Sequence, residues 1–179
     1  MVTSLHMQPI TYFHVLQYGR LPELLPAPQL VPGIEIRSYG GEADIEPMLA
    51  AHNSIFARPI SRRELDQAVA QSEFPPELWL LAFLERTLVG FCTCAEYGQE
   101  AEISYLGVLP EYRRSGLGSS LLALGVRTLA ARGHRNIHLA VNVENERALS
   151  IYHRAGFVPW RRSTTYALQL NSEEEDGNC

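Results

Sequence analysis

Between Leu109 and Ser119 the chain reads Leu-Pro-Glu-Tyr-Arg-Arg-Ser-Gly-Leu-Gly-Ser. Arg113 and Arg114 bring two guanidinium groups, Ser115 and Ser119 two hydroxyls, and Gly116 and Gly118 a backbone without Cβ atoms. That composition suits a phosphate cradle. Glycines let backbone N–H groups approach an anion closely, and a helix N-terminus adds unpaired donors and the positive end of its dipole. The spacing is neither Gly-x-x-x-x-Gly-Lys-Ser/Thr nor Gly-x-Gly-x-x-Gly. The chain has no lysine, so all fifteen basic residues are arginine, and lysine Schiff-base chemistry is excluded. Taken alone, the same residues also describe a Gly-rich turn carrying surface arginines.

The flanking pattern supplies elements to position this loop. Ala101 to Val108 reads as a strand running into it, and Pro110, which cannot donate a ladder hydrogen bond, ends that strand. Simple alternation puts Glu102, Ser104, Leu106 and Val108 on one face and Ile103, Tyr105 and Gly107 on the other. Gly107 inside the strand predicts a bulge or a close backbone approach. Leu117, Leu121, Leu122, Leu124, Val126 and Leu129 recur at helical spacing, so a helix runs from near Gly116 to Arg132, with Gly133 as its C′ residue. Gly125 in its middle predicts a neighbouring backbone. Ile137–Val141 is then a strand parallel to the first, by the right-handed crossover rule. Asn145 is a good N-cap for a helix bearing Ala148, Leu149, Ile151, Tyr152 and Ala155 on its apolar face and ending at Gly156.

Two of these segments carry a resemblance. Arg113-Arg114-Ser115-Gly116-Leu117-Gly118 is similar to the Arg/Gln-x-x-Gly-x-Gly/Ala loop of the GNAT superfamily of acyl-CoA-dependent N-acetyltransferases. Asn145, Ala148, Tyr152, Gly156 and Phe157 match that superfamily's Asn-x-x-Ala-x-x-x-Tyr-x-x-x-Gly-Phe segment at every position. The likeness extends over about residues 34 to 170. It implies an α/β fold: a mixed, mostly antiparallel sheet of six or seven strands, with a splayed pair of parallel strands and helices on both faces. It implies acetyl-CoA as acyl donor, no metal, and direct attack by an amine in a ternary complex. The loop amides from Arg113 through Arg114, Ser115, Gly116, Leu117, Gly118 and Ser119 would hold the pyrophosphate of coenzyme A. The backbone of Leu106, Gly107 and Val108 would pair with the pantetheine arm and offer an N–H to the thioester carbonyl. Asn145 would contact the pantetheine region, and Tyr152 would act as general acid toward the departing thiolate. Glu102 stands eleven residues before Arg113, where some histone-acetylating members carry a catalytic glutamate. An amine attacks only when neutral, and a half-buried carboxylate can take its proton. Glu96 and Tyr105 are reserve candidates for that role. The plainer alternatives are a structural carboxylate at Glu102 and a core aromatic at Tyr152.

The rest of the chain bounds the reading. With 179 residues, 46% hydrophobic content and a net charge of -5, it is predicted to fold as one ordinary globular domain without non-specific affinity for nucleic acid. No membrane span or leader pattern is evident, and the expected location is cytoplasmic. Cys92, Cys94 and Cys179 make no disulfide framework, and the first two are predicted to be small core residues. His134 and His138 lie four apart across a loop and a strand, a poor arrangement for zinc. Residues 1–33 are treated as an N-terminal extension and Pro-rich linker, with one strand from Ile10 to Tyr18. They pack either on the domain or on a second subunit, which leaves a homodimer open. Residues 34–171 form the N-acetyltransferase domain: a first strand at Ile34–Arg37, a helix from Asp44 to Phe56, a second helix from Ser61 with a capping box to Glu64, and a hairpin from Leu78 to Ala95. Phe56, Arg58 and Pro59 are candidates for contacts to the acceptor. Residues 172–179 are an acidic tail. The acceptor is left open among protein N-termini, lysine side chains, antibiotics, polyamines and small metabolites. A non-catalytic acyl-CoA sensor is the alternative.

Overall fold

The computed structural model describes residues 6–19, 28 and 31–169. The Pro-rich linker and the acidic tail lie outside the described residues. Seven strands form one sheet: β1 (His6–Tyr18), β2 (Ile34–Ser38), β3 (Trp79–Leu84), β4 (Thr87–Tyr97), β5 (Glu100–Val108), β6 (Asn136–Asn142) and β7 (Phe157–Gln169). Four α-helices accompany them: α1 (Ile45–Ile55), α2 (Arg62–Val69), α3 (Leu117–Ala131) and α4 (Glu146–Ala155). The order across the sheet is β2-β3-β4-β5-β6-β1-β7, and among the described residues only β5 and β6 run parallel.

Of the two placements left open for the N-terminal strand, the topology shows packing on the domain itself. β1 lies between β6 and β7, pairing Phe13–Gln17 with β6 and nearly its whole length with β7. Leu16 and Tyr18 are buried in the common core. The folded unit therefore includes His6–Tyr18 as well as the residues after Ile34. Neighbours in sequence do not reveal that pairing, because the strands it joins lie more than a hundred residues away.

α3 and α4 cover one face of the sheet, α1 and α2 the other. A Cβ on Gly125 of α3 would lie 2.9 Å from Cys92 Sγ and 3.0 Å from Ile103 Cδ1, so the helix backbone there packs on side chains of β4 and β5, where the sequence predicted a neighbouring backbone. Cys92 and Cys94 are buried and free, as small core residues. On the opposite face, a Cβ on Gly107 would meet Ile55 of α1 at 3.0 Å. The caps follow the sequence signals: Ser61 and Glu64 form a reciprocal capping box on α2, and Asn145 Oδ1 accepts from Ala148 N at 3.1 Å on α4. Asp44 anchors the chain before α1, accepting from both terminal nitrogens of Arg37 and from Gly40 N at 2.6–2.7 Å.

The faces of β5 do not follow simple alternation. Thr93 pairs with Tyr105 but Cys94 pairs with Ile103, so Ser104 is an extra residue, a β-bulge. Ile103 faces α3, whereas Tyr105 packs edge-on to His52 and Phe56 beside α1. The bulge thus lies at Ser104 rather than at Gly107, where the glycine instead admits α1 closely.

Candidate active site

The bulge coincides with a split. β5 and β6 pair only from Glu100↔Asn136 to Ile103↔Leu139. Beyond that point β6 continues with β1 alone, and β5 continues with β4 alone. The β6-facing edge of β5 from Ser104 to Val108 therefore has no strand partner among the described residues. A cavity of about 660 Å³ opens there, lined by Leu106, Gly107 and Val108, by the loop before α3, and by Asn145 and Tyr152 of the α4 segment.

Arg113, Arg114, Gly116, Gly118 and Ser119 line the cavity; Ser115 and Leu117 do not. Ser115 Oγ is directed into the loop, donating to Tyr112 O at 2.8 Å and accepting from Leu117 N at 3.3 Å, and the Leu117 side chain is buried in the core. Those two residues shape the loop rather than face the cavity. Arg113 is tied down by its Nε, which donates to Val108 O at 3.1 Å. Arg114 and Gly116 both have positive φ, 68° and 87°; for arginine that conformation is strained, and such strain collects at ligand sites. A Cβ on Gly116 would meet open space. Among the described residues the amides of Arg114, Gly118 and Ser119 have no hydrogen-bond partner. Those of Gly118 and Ser119 are orphan donors of a helix start, and that of Arg114 belongs to the loop leading into it. Arg147 and Arg154 of α4 also line the cavity, which then holds four arginines and no carboxylate. Neither α4 arginine was identified in the sequence; their spacing of seven on one helix face was the available signal. Free amides and unopposed guanidiniums fit the diphosphate and phosphate groups of coenzyme A, and the unpaired strand edge fits an amide-bearing arm.

Tyr152 is buried at the inner end, and loss of solvation, with Cys92 nearby, pushes its phenol up to about 12. It is a protonated donor at any ordinary pH. Asn145 lines the same cavity while its amide oxygen caps α4. Glu102 is not among the cavity-lining residues. It stands on β5 opposite His138, one position before the last parallel pair, on the sheet face away from α3. Burial raises its carboxyl above the ordinary range, and Arg161 offsets that only in part. The reserve candidate Glu96 is committed elsewhere: it accepts from Arg132 and lies 2.7 Å from His134 Nε2, and these partners hold its carboxyl low. Phe56 lines the cavity from the α1 side, Arg58 pairs with Glu64, and Pro59 is exposed.

A splayed parallel pair, orphan amides at the helix after it and a buried tyrosine across the gap define an acyl-CoA-binding α/β domain. The sequence profile of the Acetyltransferase (GNAT) family matches residues 45–157, and the chain belongs to that family. Among its relatives, the mycothiol acetyltransferase of Streptomyces bingchenggensis is 33% identical over 152 residues, covering 81% of this chain and 49% of the relative. That of Clavibacter michiganensis subsp. michiganensis is 43% identical over 131 residues, covering 70% and 42%. The crystal structure of a GCN5-related N-acetyltransferase from Sphaerobacter thermophilus superposes with a TM-score of 0.74 at 28% identity, covering 90% of this chain and 51% of that one. The chain thus spans about half the length of these relatives. Among the described residues no helix is long and apolar enough to cross a membrane.

Proposed function

We propose that this chain is an N-acetyltransferase that moves an acetyl group from acetyl-CoA to the amine of a small molecule. The observation that carries the reading is the single cavity joining the unpartnered edge of β5 to the orphan amides at the start of α3. Acetyl-CoA would supply an acetyl thioester. The amides of Arg114, Gly118 and Ser119, with Arg113, Arg147 and Arg154, bind its phosphates. The edge of β5 at Leu106–Val108 orients its arm and offers an N–H toward the reacting carbonyl. Glu102 takes the proton that the attacking nitrogen loses as the N–C bond forms. Tyr152 gives a proton to the sulfur as the C–S bond breaks. Holding amine and thioester together supplies much of the rate. Family membership favours turnover over a sensor role.

The curated relatives are mycothiol acetyltransferases, which makes a thiol-bearing small-molecule amine of that kind the first acceptor to test here. We assign the reaction to the cytoplasm, in keeping with two buried free cysteines. A homodimer is kept as part of the proposal, and sedimentation velocity tests it. The test of the function is thiol release from acetyl-CoA across a panel of amines, with direct calorimetric titration of acetyl-CoA. Amine-dependent release is expected. Binding without release to any amine would return the sensor reading.

A further inference from the structure

A second cavity, of about 150 Å³, lies on the sheet face away from α3, under α1 and α2. Met48, Leu65, Phe74 and Phe91 make most of its wall apolar. Three more of its lining residues, His52, Trp79 and Thr93, are each more than nine-tenths buried. Each carries a polar atom with no hydrogen-bond partner among the described residues: His52 Nε2, Trp79 Nε1 and Thr93 Oγ1. A buried polar group left unpaired keeps its full desolvation penalty. Three around one small hollow, contributed by α1, β3 and β4, point to a ligand.

Their chemistry can be read atom by atom. Asn53 Nδ2 donates to Ile60 O at 3.0 Å, and Asn53 Oδ1 accepts from Ile60 N at 2.8 Å, which fixes the oxygen end of that amide. His52 Nδ1 lies 3.3 Å from the same oxygen, so it must carry the ring proton. Burial lowers the imidazole pKa and keeps the ring neutral. His52 Nε2 is then a bare lone pair, able only to accept. Trp79 Nε1–H can only donate, and the Thr93 hydroxyl does either. The cation and anion at the rim, Arg58 and Glu64, are paired with each other at 2.8 Å and leave no free charge for an ionic ligand.

The position relates this pocket to the reaction. Phe56 lines the large cavity and Tyr105 the small one, and the two rings meet edge-on with centroids 5.6 Å apart. We propose that the small cavity is a specificity pocket that receives an uncharged group able both to donate and to accept hydrogen bonds, a hydroxyl or a carboxamide, carried by the acceptor amine. The proposal rests on the acetyltransferase reading and names its acceptor class. The group donates to His52 Nε2 and accepts from Trp79 Nε1–H, with Thr93 taking the remaining bond. An alkyl tail leaves all three unpaired, and a carboxylate or ammonium tail cannot satisfy both the donor and the acceptor.

The test uses the full chain and linear primary amines of two to six methylenes ending in hydroxyl, carboxamide, methyl, carboxylate or ammonium. At the best length the hydroxyl or carboxamide series is expected to exceed the methyl series at least tenfold in kcat/KM, since a site built for a polar group rejects the analogue lacking it. Thr93→Val and Trp79→Phe are each expected to bring that ratio toward one. In parallel, ¹⁵N NMR of the histidine rings with acetyl-CoA present should give His52 as the neutral Nδ1–H form, with Nε2 shifting on addition of the amino alcohols or amino amides but not of the alkylamines. Equal or better rates for alkyl or charged tails at every length overturn the proposal, as does a His52 signal that no hydroxyl or carboxamide probe moves. If acetyl-CoA itself fails to bind in calorimetry, the acetyltransferase reading fails and this one with it. If it binds and turns over without tail preference, this one alone fails.

Discussion

The two cavities offer opposite means of recognition. On the α3 side, recognition is by main chain and full charge: orphan amides, a strained Arg114, and four arginines around an open cleft. On the α1 side it is by neutral side chains in a small apolar hollow. The first suits a ligand with a constant, highly charged end. The second suits a discriminating choice among neutral tails. Tyr152, on α4, lines the first cavity, and Glu102 stands on β5 outside both; the first can give a proton and the second, once ionised, can take one.

The sharpest separation of binding from chemistry on the α3 side is Tyr152→Phe. It removes only a hydroxyl, so kcat should fall by about 100-fold or more, the usual span for a lost general acid. The acetyl-CoA dissociation constant should stay within about twofold, because the aromatic body remains. Calorimetry and initial rates check both; a collapse in affinity with unchanged turnover would move Tyr152 out of the acid role.

Glu102→Gln tests the opposite face. A base must be ionised, so activity is lost as pH falls through its pKa, and burial places that loss above the ordinary glutamate value of 4.5. The variant should lose roughly 100-fold near neutral pH. It should also lose the acidic limb of the kcat/KM profile. Tyr152, titrating near 12, should add no basic limb in the working range. A profile that keeps its acidic limb in the variant assigns the base elsewhere.

Gly116→Val probes the loop. The substitution meets open space but forces a β-branched residue to φ 87°, so it should distort the amide array. Acetyl-CoA affinity should weaken by about tenfold, the equivalent of one strong hydrogen bond to a charged group. Binding of tail-bearing amines, followed by the His52 ring signal, should be unaffected. Smallest is Gly125→Ala, away from both sites. Its new methyl would sit 2.9 Å from Cys92 Sγ and 3.0 Å from Ile103 Cδ1. Overpacking outweighs the helix gain and leaves a net loss on the order of 1 kcal/mol. That is roughly 2–4 °C in Tm for a chain of this size, read by thermal denaturation.

The contrast between the cavities also explains what could be read in advance. The loop is local: Arg113, Gly116 and Gly118 lie within six residues around the start of α3, so their grouping on one cavity survives in linear order. The same holds for Asn145 and Tyr152, the N-cap and a residue of one helix. The smaller hollow is assembled from α1, α2, β3, β4 and β5, and no spacing relates His52 to Trp79 or Thr93. The bulge at Ser104 has no sequence signal for a similar reason. It arises from a register mismatch between two strands, and nothing in Ser104 itself announces it. Gly107 carried the visible signal, but its missing Cβ accommodates Ile55 instead. β1 could be recognised as a strand, yet its partners are fixed only when β6 and β7 are in place.

The central claim is that the cleft between β5 and β6 and the amides of Arg114, Gly118 and Ser119 receive one ligand together. Amide-resolved NMR during titration with acetyl-CoA tests it most directly. The account predicts that signals of Arg114, Gly118 and Ser119 move in step with those of Leu106 to Val108, with a common saturation point. Shifts in only one of the two groups, or saturation at different concentrations, would contradict it.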